Sequence, residues 1–236
     1  MKPDDAPHAP TVGPDRAIRG VGDLAGEITH ALKNPIAAFT TSLDLLLAGN
    51  LDADDVKALH RVLRNELRKL DEMLLHTREL TRLRALQRRP LDLAELIRAR
   101  LDVRAPDLAA AEAKVTRAGL DEPVRVFGDL ELIEHAFDAL LQNAIDASGS
   151  SPSVRVALAI EGEPGMQRAV IRVRDEGAGI PEVSRANVFR MFYTTRRGSA
   201  GMGLTVARWI AIAHEGDLVL EPCEPGIEAV FSVGVE

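Results

Sequence analysis

Cysteine and long apolar runs are nearly absent from this sequence. Cys223 is the single cysteine among 236 residues, which excludes an intramolecular disulfide framework and favours a reducing compartment, the cytoplasm. No group of cysteines and histidines has the spacing of a zinc site. A run of about 18 apolar residues, the length that a membrane-spanning helix needs, occurs nowhere, so we expect no membrane span.

An excess of positive charge is also missing. The net charge is −7, whereas surfaces that bind nucleic acid or anionic lipid are rich in Lys and Arg. We therefore expect neither nucleic acid nor a membrane surface as the main partner. The hydrophobic fraction of 46% is ordinary for a soluble protein, and the length allows one large domain or two smaller ones.

The N-terminal segment is rich in residues that oppose helix formation. Because Pro3, Pro7, Pro10 and Pro14 remove backbone donors, residues 1–16 are predicted to be a disordered lead-in. This lead-in has no apolar centre and does not resemble a signal peptide. A sensory signal is then expected to arrive through a separate partner.

Residues 17–88 carry the pattern of two long antiparallel helices. Apolar or small side chains recur in alternating steps of three and four residues, which is typical of a heptad seam. The first seam consists of Ile18, Val21, Ala25, Ile28, Leu32, Pro35, Phe39, Ser42 and Leu46, and the second of Val56, Leu59, Leu63, Leu67, Leu70, Leu74 and Leu80. Ala48-Gly49-Asn50 separates them as a helix stop. Because a lone hairpin cannot bury both seams, we predict that two copies pair into a four-helix bundle, a homodimer.

The pattern changes at Pro90, which is predicted to end the second helix near Leu86. Residues 89–236 then alternate between helical and strand periodicities. The predicted helices lie near 93–101 and 130–147, and the predicted strands near 124–127, 154–160, 169–174, 217–220 and 228–233. This order favours a second domain in which helices pack on one face of a sheet. The predicted fold class is α+β, a helical hairpin followed by an α/β sandwich.

One histidine of the first helix stands in a distinctive local sequence, Glu27-Ile28-Thr29-His30-Ala31-Leu32-Lys33-Asn34-Pro35-Ile36. His30 lies two residues beyond the seam position Ile28, so its side chain is predicted to face solvent. Near neutral pH an imidazole is largely uncharged, and one ring nitrogen then has a lone pair that can attack a phosphoryl group. Pro35 removes one helical hydrogen bond just beyond this histidine.

Four short motifs follow one another in the second half. They are Leu140-Leu141-Gln142-Asn143-Ala144-Ile145-Asp146-Ala147, Asp175-Glu176-Gly177-Ala178-Gly179-Ile180-Pro181, Val188-Phe189-Arg190-Met191-Phe192-Tyr193-Thr194-Thr195-Arg196 and Gly198-Ser199-Ala200-Gly201-Met202-Gly203-Leu204. In this order they resemble the N, G1, F and G2 boxes of the ATP-binding fold that histidine kinases share with the Hsp90 chaperone, DNA gyrase and the MutL repair protein. The segment around His30 likewise resembles the phosphoacceptor box of two-component sensor histidine kinases.

The resemblance implies an ATP site that also holds Mg²⁺. Asn143 would bind the metal through its amide oxygen, a hard ligand, and Asp175 would accept a hydrogen bond from the amine of adenine. The glycines would let the backbone approach the base and the phosphates, which Arg196 or Arg197 would also contact. The implied nucleotide-binding residues are Asn143, Asp146, Asp175, Gly177, Gly179, Ile180, Phe192, Thr195, Arg196, Gly201, Met202, Gly203 and Leu204.

The resemblance further implies a protein histidine kinase that phosphorylates itself on His30. The phosphoryl group would then pass to an aspartate in the receiver domain of a response regulator. Asn34, one helical turn beyond His30, would orient a water molecule for removal of phosphate from that regulator. The domains implied are a dimerisation and phosphotransfer hairpin over 17–88 and a catalytic ATP-binding domain over 89–236.

Two positions depart from the family pattern. Ala31 replaces an acidic residue that acts as a base, and general-base assistance is worth about 10²- to 10⁴-fold, so slow autophosphorylation is predicted. Glu27, on a similar helix face, is the tentative substitute. Ala139 replaces a second asparagine of the N box, with Asp138 as the candidate substitute.

The alternative function is a catalytically impaired, nucleotide-binding scaffold or regulator; a serine kinase or ATPase of the wider fold is a third, weaker interpretation.

Overall fold

The computed structural model describes residues 14–49, 51–149, 151–196 and 198–235, with side chains of the first helix described at Gly26 and from Ile28 onward. Two long helices come first, α1 (Pro14–Leu47) and α2 (Ala53–Leu83). The remaining elements are β1 (Arg89–Asp92), α3 (Leu93–Val103), α4 (Ala105–Ala110), β2 (Lys114–Ala118), β3 (Arg125–Gly128), α5 (Leu130–Ala147), β4 (Ser153–Glu161), β5 (Arg168–Asp175), α6 (Glu182–Arg185), α7 (Gly203–Ala213), β6 (Leu218–Pro222) and β7 (Ile227–Gly234). Most of the predicted lead-in, residues 1–13, lies outside this description.

Helices α1 and α2 form the predicted hairpin, and the local sequence explains the turn between them. Helix α1 ends at Leu47, shortly before Gly49, which has a φ of +71°. The Asp52 carboxylate accepts hydrogen bonds from the Asp54 and Asp55 backbone N–H groups, each at 2.8 Å. The Asp55 carboxylate in turn accepts from the Asp52 N–H at 3.3 Å. This reciprocal capping box starts α2.

The predicted end of α2 near Leu86 is wrong, because the helix ends at Leu83. Pro90 does not end it, since Pro90 lies in β1, which pairs with β3. Instead, the buried carboxylate of Asp129, just before α5, accepts a hydrogen bond from the Gln87 N–H at 3.0 Å. The contact ties the segment just after the helix to the start of α5 before Pro90 is reached. A residue distant in sequence therefore fixes this boundary.

The second half of the chain is built on a five-stranded sheet in the order β2-β4-β5-β7-β6. Strands β2 and β4 are parallel, and the other neighbouring pairs are antiparallel. Alternate side chains of β7 are buried, as in a sheet with one covered face: Ile227, Ala229, Phe231 and Val233. Helices α5 and α7 pack on the sheet. The predicted α+β class and α/β sandwich are confirmed.

The core of the sandwich continues into α2. Phe137 of α5 and Phe231 of β7 are among its largest fully buried side chains. Met73, Leu80 and Leu83 of α2 belong to the same cluster of buried residues. The C-terminal half of α2 is therefore packed against the sandwich through apolar contacts.

Other apolar side chains of the hairpin remain exposed. Leu67 and Leu74 of the predicted second seam are 49% and 65% exposed. On α1, Leu43 and Leu47 are exposed as well. A single copy therefore leaves apolar surface on both helices. Across the described ranges, no helix is both long enough and apolar enough to cross a membrane.

Candidate nucleotide site and phosphoacceptor histidine

A cavity of about 730 Å³ opens between α5, the loops flanking α6 and the start of α7. Its volume falls in the range of small-molecule sites. Most of the predicted binding residues line it: Asn143, Asp146, Asp175, Gly179, Ile180, Thr195, Arg196, Gly201, Gly203 and Leu204. The four sequence motifs thus meet around one space.

Asp175 is the last residue of β5 and is only 6% exposed. Its Oδ1 atom accepts a hydrogen bond from the Gly177 N–H at 2.8 Å. Burial raises the pKa of the Asp175 carboxyl, while hydrogen bonds from the backbone of Gly177 and Ile227 act in the opposite direction. The remaining lone pairs of the carboxyl suit a donor such as the amine of adenine.

Gly177 is required by a close approach between the loop after β5 and the end of α5. A Cβ atom at this position would lie 2.3 Å from the carbonyl oxygen of Ala147. No side chain fits in that gap, because protein interiors are close-packed. Gly177 therefore shapes the cavity without lining it.

Asn143 of α5 lines the cavity, and its amide has no hydrogen-bond partner in the part of the chain that the structure describes. Asp146, one turn later, accepts hydrogen bonds from Gln142 Nε2 at 2.7 Å and from Arg196 Nη1 at 2.8 Å. Amide and carboxylate oxygens are the hard ligands that Mg²⁺ prefers. The residues present at this end of the cavity fit a magnesium ion.

The loop before α7 brings backbone N–H groups to the cavity. Gly201 has a φ of +69°, and a Cβ atom there would lie 2.7 Å from the carbonyl oxygen of Tyr193. Helix α7 begins two residues later at Gly203. The first N–H groups of a helix have no partner within it and attract anions. Arg196 lines the same cavity, whereas Arg197 lies outside the described residues.

Besides Gly177, two further predicted binding residues do not line the cavity. Met202 is 1% exposed and belongs to the core cluster. Phe192, with a φ of +63°, is half-buried and packs against that cluster. Apolar side chains in these positions hold the loops on the sandwich. Their direct contact with nucleotide stays a prediction.

The position of the missing second asparagine also lies at the cavity. Ala139 lines it. Asp138 does not, because it forms an ion pair with Arg100 of α3, with Arg100 Nε 3.3 Å from Asp138 Oδ1. The hydrogen bond from this guanidinium to Asp138 raises the pKa of Arg100. The carboxylate is therefore turned to another partner, and Asp138 is wrong as the substitute.

Helix α2 supplies one wall of the cavity through Arg68, Glu72 and His76. The sequence motifs did not predict this wall. The Glu72 carboxylate accepts a hydrogen bond from the Ala200 N–H at 2.8 Å. His76 Nδ1 lies 3.0 Å from His135 Nε2 of α5. Polar residues four positions apart are ordinary on an exposed helix face, so no local signal marks them.

His30 is exposed on α1, as predicted. Ala31 is half-buried and packs against the shared core. Asn34, one turn beyond His30, is exposed, and the side chain of Glu27 lies outside the described residues. The histidine is therefore accessible to another domain, while the position of the missing acid is held in an apolar contact.

Comparison with known proteins shows which class the chain resembles. Residues 128–235 match the family of histidine kinase-, DNA gyrase B-, and HSP90-like ATPases. The chain is 27% identical over 222 residues to the sensor-like histidine kinase SenX3 of Mycolicibacterium smegmatis, covering 90% of this chain and 56% of that protein. It is 28% identical over 205 residues to the sensor protein CreC of Escherichia coli, covering 84% of this chain and 42% of that protein.

A solved structure shares the fold. The histidine kinase ThkA, in complex with the response regulator protein TrrA, superposes with a TM-score of 0.70 at 22% identity, over 93% of this chain and 63% of that one. With its ATP-binding core over residues 128–235 and these relatives, the chain is similar to two-component sensor histidine kinases. It spans about half the length of the curated relatives it matches, 56% and 42%.

Proposed function

We propose that this chain is an ATP-dependent protein histidine kinase, which phosphorylates itself on His30 and passes the phosphoryl group to an aspartate of a response regulator. The observation that supports this proposal most directly is the combination of two features. His30 is exposed on α1, and a separate cavity is lined by Asn143, Asp175 and a glycine loop. Phosphoryl transfer needs a nucleophile and a nucleotide site that can be brought together. In this proposal, His30 is the nucleophile and the cavity is the nucleotide site.

The cavity residues take distinct roles in this proposal. Asp175 accepts a hydrogen bond from the exocyclic amine of adenine; guanine carries an oxygen there, so ATP is favoured over GTP. The N–H groups around Gly201 and Gly203 bind phosphate oxygens, and Arg196 adds a charge-assisted contact. Asn143 would hold Mg²⁺, which would neutralise charge on the phosphates.

The transfer step requires a neutral imidazole at His30. A lone pair on one ring nitrogen attacks the γ-phosphorus, a P–N bond forms, and the bond to the β,γ-bridging oxygen breaks with its electron pair leaving on ADP. The other ring nitrogen carries a proton that a base would attract. Ala31 has no group to do so. We therefore propose slow autophosphorylation, with Glu27 as the tentative base.

The acceptor in this proposal is the receiver domain of a response regulator. The fold is shared with ThkA, whose solved complex contains the response regulator protein TrrA. Asn34 is exposed one turn beyond His30, where it would orient a water molecule for removal of phosphate from the regulator. Docking beside His30 would bring the acceptor aspartate within reach.

The assembly in this proposal is a homodimer through the hairpin of residues 17–88, with 89–236 as the catalytic domain. The exposed leucines of the second seam, Leu67 and Leu74, support it because a second copy would bury them. A separate sensory partner would deliver the signal. A single thiol, Cys223, and a requirement for ATP fit the reducing cytoplasm.

The test is incubation of the purified chain with γ-labelled ATP and Mg²⁺. We expect acid-labile, base-stable label on the protein, lost in His30→Ala. His60→Ala is the matched control, since His60 is an exposed histidine of α2 and its variant should keep the label. Label that survives His30→Ala would sink the assignment. Nucleotide binding without any label would favour the scaffold.

A further inference from the structure

Helix α2 places a carboxylate in the loop that faces the phosphate end of the cavity. Glu72 Oε2 accepts a hydrogen bond from the Ala200 N–H at 2.8 Å. Ala200 belongs to the glycine loop just before α7, and Glu72, Gly201 and Gly203 all line the cavity. An anionic oxygen of the protein therefore occupies a backbone donor in the loop proposed to bind phosphate.

A carboxylate oxygen and a phosphate oxygen are alike as hydrogen-bond acceptors. Both are anionic, and both form short, charge-assisted bonds to backbone N–H groups. One N–H group points at one acceptor, so Glu72 and a phosphate oxygen cannot both take the Ala200 donor. A second negative charge in the same cavity also repels the phosphates. The contact therefore opposes nucleotide binding by position and by charge.

The surroundings of Glu72 allow this contact to separate. On the face of α2 that lines the cavity, its neighbours one turn away are Arg68 and His76, both polar. The apolar anchors of α2 are Met73, directly after Glu72, and Leu80 and Leu83 at the C-terminal end of the helix. Polar contacts between domains are more readily exchanged for water than apolar ones. The Glu72 contact can open while the C-terminal end of α2 stays packed.

We infer that Glu72 is an internal competitor of ATP, because its carboxylate occupies the phosphate-binding loop at Ala200. The contact between α2 and this loop is then favoured when the nucleotide site is empty. The inference rests on the proposed nucleotide-binding function and adds its regulation. Coupling is reciprocal, so docking weakens nucleotide binding by the factor by which nucleotide weakens docking. Nucleotide entry then releases the loop at Ala200 from Glu72, which weakens the contact of the catalytic domain with this part of α2.

The test measures the affinity of the full chain for the Mg²⁺ complex of a non-hydrolysable ATP analogue, and for adenosine, by calorimetry. We expect Glu72→Ala to bind the analogue about 5- to 30-fold more tightly than wild type, within the range of about 5- to 150-fold that is typical of coupling between sites. The affinity for adenosine should differ by less than about twofold between this variant and wild type, because adenosine has no phosphate for Glu72 to compete with. Asp71→Ala is the matched control, because Asp71 is the adjacent, exposed acid, and it should bind like wild type.

Glu72→Gln keeps the shape of the side chain, so it serves as a second variant in case Glu72→Ala folds poorly. It should show a smaller gain in the same direction, because the amide oxygen still accepts but the charge is gone. In parallel, hydrogen exchange at the Ala200 amide should be faster in Glu72→Ala without nucleotide than in Asp71→Ala. If both Glu72 variants bind the analogue as wild type does, or more weakly, the proposed competition is wrong, and the proposed nucleotide site is unaffected. Absence of binding in every variant overturns the nucleotide site, and the competition with it.

Discussion

His76 on α2 and His135 on α5 are hydrogen-bonded to each other across the boundary between hairpin and sandwich. The His76 Nδ1 atom lies 3.0 Å from His135 Nε2, and the rings meet edge to face at an interplanar angle of 84°. One ring donates and the other accepts, so the accepting ring is neutral. Burial, followed by the charge of His135, lowers the pKa of His76 to about 3, and burial also lowers the pKa of His135.

This pair predicts acid sensitivity of the folded chain. Above the ordinary pKa of 6.5, His76 is neutral in both states and the pair is intact; as pH falls from 6.5 toward about 3, the unfolded chain binds a proton that the folded chain excludes. The free energy of unfolding should therefore decrease over that window. In urea titrations at several pH values, His76→Gln should show a shallower decrease than wild type. His60→Gln, at an exposed position, should keep the wild-type slope; a wild-type slope in His76→Gln would contradict the prediction.

Restoring an acid at Ala31 should accelerate autophosphorylation. A glutamate beside His30 would attract the proton of the imidazole, and such assistance is worth about 10²- to 10⁴-fold when well placed. Because Ala31 is half-buried against the core, imperfect placement is expected, and we predict a gain of at least about tenfold for Ala31→Glu. The measurement is the initial rate of labelling from γ-labelled ATP. Ala37→Glu, at an exposed position of α1, should leave the rate unchanged; an equal gain there would point to a nonspecific charge effect.

Loss of the Asp129 carboxylate should destabilise the join between hairpin and sandwich. Asp129 is fully buried, caps α5, and accepts hydrogen bonds from Arg82 Nε at 3.2 Å and from Gln87 N at 3.0 Å. Asp129→Ala removes the cap and leaves Arg82 and Gln87 without their acceptor, so we expect a loss of about 2–4 kcal/mol in the free energy of unfolding. Glu131→Ala removes an exposed partner of Arg82, for which less than about 1 kcal/mol is expected. Equal effects of the two variants in urea unfolding would refute this role of Asp129.

A methyl group at Gly177 should damage the nucleotide site. Its Cβ atom would lie 2.3 Å from the carbonyl oxygen of Ala147, so the loop after β5 must move and Asp175 loses its N–H partner. We expect Gly177→Ala to lose about 1–3 kcal/mol of stability and to bind the ATP analogue at least about tenfold more weakly, the effect of about 1.4 kcal/mol on binding. Gly26→Ala, where nothing lies within 4 Å, should be neutral or stabilising. Wild-type affinity in Gly177→Ala would show that the close approach is unimportant for binding.

Features set by local sequence were predictable. The capping box at Asp52 and the stop near Gly49 are encoded within a few residues, so the turn of the hairpin could be placed. Five strands, near 124–127, 154–160, 169–174, 217–220 and 228–233, followed from alternation, because one face of the sheet is buried. Strands β1 and β2 were not predicted. The prediction of where α2 ends failed for the opposite reason. The contact that matters there comes from Asp129, which is 42 positions away from Gln87.

The sequence by itself determined that His30 is exposed on a helix and that the four motifs belong to one ATP-binding fold, because periodicity and motif order are local properties. Only the tertiary structure decided which motif residues face the cavity: Met202 and Phe192 turn into the core because apolar side chains anchor the loops. It also decided that Asp138 pairs with Arg100 and that Glu72 of α2 reaches Ala200. Such contacts depend on how distant elements pack, and no spacing within a single element encodes them.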